Sequence, residues 1–288
     1  MNLVIQHPAL SRTLLDSIAT ELGAAALANS PFAARFAAPA GFDRAALDAL
    51  SATHRVDAAL VPAGRRLADY RLIAFDMDST LINIECVDEI ADFAGRKAEV
   101  AAITEAAMRG EIPDYAESLR RRVALLAGLP ESALTEVYEN RLKITPGAAG
   151  LIERAHQAGL KVLLVSGGFT FFTERLKPRL GLDFTRANRL VVAGGRLTGE
   201  LDGGIVDADV KRSTVQTLCA QLGCEPSAAI VVGDGANDLK MMAIAGVSVA
   251  YRAKPVVRAQ TTHALNHCGL DALLNCFEDS FGASVSAP

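Results

Sequence analysis

The sequence predicts an α/β protein: a doubly wound parallel-sheet core with an inserted helical cap, preceded by a small α+β domain. Three observations carry this. Short apolar runs of strand length recur at 72–75, 162–165, 190–193, 230–232 and 247–250, most of them separated by helix-length segments, the pattern of a sheet buried on both faces. The stretch 84–144 is too long for one crossover and reads as several helices. The first 66 residues alternate shorter pieces in the order βαββαβ.

In chain order, Leu3-Val4-Ile5 reads as a strand and Leu10, Leu14, Ile18 and Leu22 have helical spacing. Two Ala-rich strands, a helix over 43–51 and a strand at 56–61 complete a ferredoxin-like α+β domain over 1–66. Pro62-Ala63-Gly64 and the pair Arg65-Arg66 mark a linker. The core is expected over 70–83 and 145–278. The cap over 84–144 has helices at 87–93, 100–108, 115–126 and 134–138, punctuated by Gly110, Pro113, Gly128 and Pro130. Residues 279–288 read as a frayed, flexible tail.

Composition narrows the function. The chain has 288 residues, half of them apolar, and a net charge of −4 with both signs interspersed. Without a basic arm or stripe, a nucleic-acid or anionic-membrane partner is not expected. The five cysteines show no metal-ligand spacing, and their odd number argues for reduced thiols packed as small hydrophobes. Arg12, Asp16 and Glu21 interrupt any signal-like run, and the Ala-rich stretch 23–41 contains Asn29 and Arg35. A cytoplasmic protein acting on a small molecule is expected.

Three strand ends deliver polar residues where an open sheet binds ligands. The first gives Asp76 and Asp78, followed by Ser79 and Thr80. One such carboxylate suits a nucleophile and its neighbour an acid or base, provided a cation holds them together. The second end, Ser166-Gly167-Gly168, offers a hydroxyl and exposed backbone N–H groups ahead of a helix, which suits an anion. The third, Asp234-Gly235-Ala236-Asn237-Asp238, offers hard oxygens to a hard cation. Clustered carboxylates repel unless a cation such as Mg²⁺ keeps them ionised, and Mg²⁺ favours a few carboxylates plus a phosphate oxygen. Each piece alone is an ordinary turn or, for Lys211, a solvated lysine; their order at successive strand ends makes coincidence improbable.

Asp76-Met77-Asp78-Ser79-Thr80, Ser166-Gly167-Gly168, Lys211 and the run from Gly233 to Asp238 resemble the four motifs of the haloacid-dehalogenase-like (HAD) phosphatases. The likeness spans roughly residues 70 to 260, with Ala187-Asn188-Arg189-Leu190 adding to it, and is closest to members acting on phosphoserine. The resemblance implies that Asp76 attacks phosphorus and becomes an aspartyl phosphate. It implies that Asp78 protonates the leaving alkoxide and then takes a proton from water. Asp76, the backbone carbonyl of Asp78, and Asp234 would hold Mg²⁺, with Asp238 in support and Asn237 near the phosphate. Ser166, the N–H of Gly167 and Lys211 would take the phosphoryl oxygens.

The same resemblance points in the cap to Glu85 for the substrate's ammonium and Arg122 for its carboxylate, with Met108 and Tyr115 lining the pocket. Helical spacing puts Arg122 on the side of Tyr115, Leu119 and Leu126, and Arg120 and Arg121 elsewhere. Such a cation needs a partner or ligand, or else covers the core with its stem and snorkels to water; spacing leaves both open, and the resemblance favours a ligand. The expected activity is Mg²⁺-dependent hydrolysis of O-phospho-L-serine, the last step of serine biosynthesis. The alternatives are a related phosphatase or phosphotransferase acting on another small phosphomonoester. The N-terminal βαββαβ order is similar to amino-acid-sensing ACT domains, so this domain is expected to bind an amino acid such as serine, to mediate homodimer contacts, or to be an accessory domain without ligand.

Overall fold

The structure, a computed structural model, describes residues 1–109, 111–112, 114–283 and 285–287, with Met108 described by its backbone alone. Punctuation expected at Gly110 and Pro113 lies outside the described residues. The N-terminal region forms β1 (Asn2–Gln6), α1 (Arg12–Leu22), β2 (Ala28–Asn29), β3 (Ala33–Ala37), α2 (Arg44–His54) and β4 (Asp57–Val61). Its strands pair antiparallel in the order β2-β3-β1-β4. Ser11 and Asp43 cap the helices by accepting from Leu14 N and Ala46 N. Leu3 and Ile5 face the helices with Ile18, Phe36 and Leu50, whereas Val4, Ala59 and Val61 face the larger core. With both faces covered, these strands show little polar alternation, and small alanines fit between the layers.

Polar ties also fasten this sheet to the end of the chain. Arg35, buried, donates from Nη2 to Asn275 O (3.2 Å) and stacks on the Phe281 ring (4.6 Å). Arg44 donates to Thr261 O (2.8 Å) and Arg258 O (2.6 Å). The Asp57 carboxylate accepts from the backbone N–H groups of Asn266 (2.7 Å), His267 (3.0 Å) and Cys268 (2.9 Å).

After β5 (Leu72–Phe75) the chain enters the cap helices α3 (Cys86–Phe93), α4 (Lys97–Met108), α5 (Tyr115–Ala124) and α6 (Ser132–Asn140). It returns through α7 (Ala148–Gln157), β6 (Lys161–Phe169), α8 (Thr170–Leu180), β7 (Phe184–Ala193) and β8 (Arg196–Asp202). Then follow α9 (Ala208–Gln221), β9 (Ala229–Gly233), α10 (Leu239–Met242), β10 (Val247–Tyr251), α11 (Pro255–Arg258) and β11 (His263–Leu265). The sheet order is β11-β10-β9-β5-β6-β7-β8. Strand order reverses beside β5, so the carboxyl ends of β5, β6 and β9 open into one crevice. The two chain crossings into the cap lie side by side: Ile82 bridges Ile144, Asn83 N donates to Lys143 O (3.0 Å) and Thr145 N to Leu81 O (3.0 Å).

Three expectations are corrected. The sheet is mostly rather than wholly parallel, because β8 runs antiparallel to β7 across the Gly194-Gly195 turn, both glycines at positive φ. That Gly-Gly pair was a legible hairpin signal. β7 begins at Phe184, ahead of the run expected at 190–193, and β11 was not expected; the first half of β7 and the three-residue β11 carry too few apolar residues to register as strands. Among the described residues beyond 278 the chain is docked rather than frayed: Asp279 accepts from Leu67 N (2.7 Å) and Ala68 N (3.1 Å), Ser286 N donates to Asp271 (2.9 Å), and Val285 is buried. Polar side chains there satisfy backbone groups distant in sequence, which no periodicity reveals.

Candidate active site

Asp76 continues β5, its N–H donating to Val232 O (2.9 Å), before the chain makes a wide turn over Met77–Leu81. Alternation sends Met77 into the core and leaves Asp76 and Asp78 on the crevice side. Ser79 sits at φ 54°, a left-handed conformation uncommon for a residue with a side chain. Its hydroxyl donates to Glu85 Oε1 (2.6 Å), reaching the residue that precedes α3 at the start of the cap.

At the base of the crevice the Lys211 ammonium, brought in by the first turn of α9, donates to Asp76 Oδ1 (2.6 Å) and Asp238 Oδ1 (2.7 Å) and is 1% exposed. Burial works against that charge, but the carboxylates of Asp238 and Asp76 outweigh it and raise its pKa. Thr80 Oγ1 donates to Asp234 Oδ1 (3.0 Å). Gly233 leaves room for the Asp238 carboxylate, which a Cβ there would strike.

Among the described residues, one carboxylate oxygen each from Asp76, Asp234 and Asp238 lies within 4.8 Å of the others. Burial and then Asp238 push Asp234 up to about 7; burial, then Asp238, also drive Asp76 well above the carboxylate range. Three carboxylates, those of Asp76 and Asp238 buried and that of Asp234 half-buried, beside one lysine form a donor set short of positive charge and rich in hard oxygens, which fits a small divalent cation. The triad contains the Asp238 carboxylate, expected only in support, and not that of Asp78.

Asp78 stands apart from the triad. Its Oδ1 accepts from Cys86 N (3.2 Å), and burial followed by the nearby Glu85 pushes it up to about 7. A carboxyl that exists in both forms near neutrality suits proton transfer in either direction. On the β6 side, Ser166 Oγ accepts from Gly168 N (2.8 Å). Asn188 donates from Nδ2 to Gly167 O (2.7 Å) and accepts from Val206 N (2.8 Å), setting the bulged loop of the anion site. Gly167 and Gly168 allow close approach: a Cβ would meet the Tyr115 hydroxyl at the first, and the ends of the Met77 and Asp78 side chains at the second.

The crevice is a cavity of about 440 Å³, with Asp76, Asp78, Ser166, Gly167, Asp234 and Asn237 from the core and Glu85, Tyr115, Ser118 and Arg122 from the cap. Arg122 Nε is buried there without a hydrogen-bond partner among the described residues. Burial pushes the Tyr115 hydroxyl up to about 12. Lys211, expected to take a phosphoryl oxygen, has its ammonium on Asp76 and Asp238 at the base of the cavity. The Met108 side chain lies outside the described residues. Thr80, Asn188 and Cys86 received no individual role from the sequence. A buried hydroxyl after Asp78 and an amide within a strand were the available signals, while the Cys86 contact is made by backbone and had none.

A haloacid dehalogenase-like hydrolase model matches residues 70–246. The chain belongs to the haloacid dehalogenase-like hydrolases. It is 62% identical over 213 residues to a phosphoserine phosphatase of Polaromonas sp., covering 73% of this chain and 90% of that protein. The unliganded crystal structure of a probable phosphoserine phosphatase from Vibrio cholerae superposes with a TM-score of 0.84 at 36% identity, over 97% of this chain and 87% of that one. A structure of a phosphoserine phosphatase holding a phospho-aspartyl intermediate analogue matches with a TM-score of 0.68 at 37% identity, over 73% of this chain and 99% of that one.

Proposed function

We infer that this chain hydrolyses O-phospho-L-serine to L-serine and inorganic phosphate through an aspartyl phosphate on Asp76, the closing step of serine biosynthesis. The observation that carries the reading is the cavity itself. It joins an aspartate pair on the core to Glu85 and an Arg122 with an unpartnered Nε on the cap. Phosphoserine has three charged groups, and the cavity offers each a counterpart: the anion loop for phosphate, Glu85 for the ammonium, Arg122 for the carboxylate. The named relatives support the same substrate.

The Asp76 carboxylate, oriented by Lys211, attacks phosphorus, and the bond to the serine oxygen breaks. Asp78 gives its proton to that oxygen, then takes one from the water that attacks the aspartyl phosphate, freeing phosphate and restoring Asp76. Ser166 and the N–H of Gly167 meet charge on the phosphoryl oxygens, with Asn237 alongside. Asp76, Asp234 and the Asp78 carbonyl would hold Mg²⁺, with Asp238 fixing the shell through Lys211; when bound, the ion neutralises charge on the transferring group. Residues 84–144 act as the substrate-reading cap on a core of 70–83 and 145–278, and residues 1–66 act as a docked accessory domain. Among the described residues no helix is long and apolar enough to cross a membrane, and we place the reaction in the cytoplasm.

The test is phosphate release from phosphoserine, phosphothreonine, phosphoglycolate and a sugar phosphate, with Mg²⁺ and with EDTA. A strong Mg²⁺-dependent preference for phosphoserine is expected. Equal rates across the panel would discard Glu85 and Arg122 as readers of serine, and rates unaffected by EDTA would discard the metal.

A further inference from the structure

Outside the site, two of the five cysteines meet at the C-terminal end of α9. Gly223, at φ 69°, donates to Ala220 O (3.1 Å), and Cys224 N donates to Cys219 O (2.9 Å). This pair of bonds defines a Schellman motif, in which the residue after the glycine packs on the residue five earlier. Here both packed residues are cysteines, and after burial the neighbouring Cys224 thiol helps push the Cys219 thiol up. The backbone bond holds the two α-carbons at the short separation a disulfide requires. Cys219 is fully buried, whereas Cys224 is half-buried and lines a surface groove with Gln216, Gly223, Glu225 and Pro226. The other three cysteines are buried.

We propose that Cys219 and Cys224 form a reversible dithiol–disulfide couple, oxidised by hydrogen peroxide and reduced by a low-mass thiol. The accessible Cys224 sulfur takes an oxygen from peroxide, giving a sulfenic acid and water. The Cys219 sulfur then attacks it; the S–S bond forms, the S–O bond breaks, and the Cys219 proton leaves with the hydroxyl as a second water. Two molecules of a thiol reverse the bridge and are themselves oxidised to a disulfide. The couple closes the turn that leaves α9, which carries Lys211, on the way to β9, which ends at Gly233 just before Asp234, so oxidation locks the C-terminal end of a site-bearing helix. This inference does not depend on the substrate assigned above.

The experiment treats reduced full-length protein with hydrogen peroxide, quenches with an alkylating agent and maps the cysteines by mass. Both residues fall between Arg212 and Lys240, with no other Lys or Arg in between, so a bridge reads as the loss of two hydrogens within one tryptic peptide. The expected result is that loss, reversed by dithiothreitol and absent from a folded Cys224→Ser variant. Accumulation of Cys224 sulfinic acid beside a Cys219 that still alkylates would overturn the couple, as would a Cys224 left untouched while peroxide is consumed.

Discussion

Arg122 and Lys211 are both cations at the crevice, yet the structure surrounds them differently. Arg122 Nε has no hydrogen-bond partner among the described residues, and under the proposed function the substrate carboxylate supplies a counterpart to the guanidinium. Arg122→Ala should raise KM for phosphoserine about tenfold or more, as loss of a charge-assisted hydrogen bond costs roughly 1.5–3 kcal/mol. An unchanged KM in steady-state kinetics would sink that assignment. Lys211 is fully used within the protein, on Asp76 and Asp238. Lys211→Met should abolish turnover and destabilise the fold in EDTA by about 3–5 kcal/mol, the usual cost of stranding a buried charge partner. Urea denaturation checks the second effect. Asp76→Asn should stop turnover without unfolding the chain; activity surviving there, with deamidation excluded by mass, would remove Asp76 as nucleophile. The sequence showed these residue types and their spacing. It could not show that Lys211 lies behind the nucleophile, because that follows from how α9 packs under the sheet.

At the scale of elements, the N-terminal sheet is held by side chains that satisfy backbone groups of the core. The Asp57 carboxylate accepts from three consecutive N–H groups at residues 266–268. Burial raises its pKa despite those bonds, so the interface tolerates rather than favours its charge. Asp57→Ala leaves the donors unpaired at about 1–3 kcal/mol for each that water cannot reach. It should lower Tm with one cooperative transition retained. Two separated transitions in calorimetry would show instead that the N-terminal domain unfolds on its own. The βαββαβ order was readable from spacing and turns, but its docking was not. Arg35, Arg44 and Asp57 look like ordinary surface charges until their distant partners are placed beside them.

Across the whole molecule, the acidic triad links stability to pH and metal. Asp234 is raised to about 7 in the fold against an ordinary value of 3.8, so between those values the folded state binds more protons than the unfolded one. Metal-free stability should therefore fall as pH rises from about 4 to about 7. Mg²⁺ should restore Tm most at the upper end of that window. Melting curves in EDTA and Mg²⁺ across this range test both signs, and Asp234→Asn should flatten the EDTA curve. A Tm that rose with pH in EDTA for the wild type alone would contradict the linkage. The sequence by itself determined the α/β core, the cap as an insertion, and the residues at three strand ends, because strand periodicity and short polar motifs are local. Only the tertiary structure decided that Asp238 joins the triad, that β8 turns back along β7, that Asp279, Val285 and Ser286 pack down, and that Glu85 and Arg122 share a cavity with Asp76. Each of these depends on where separate segments meet. Burial, charge pairing and hydrogen-bond satisfaction settle that in three dimensions, and none of them leaves a periodic mark on the chain.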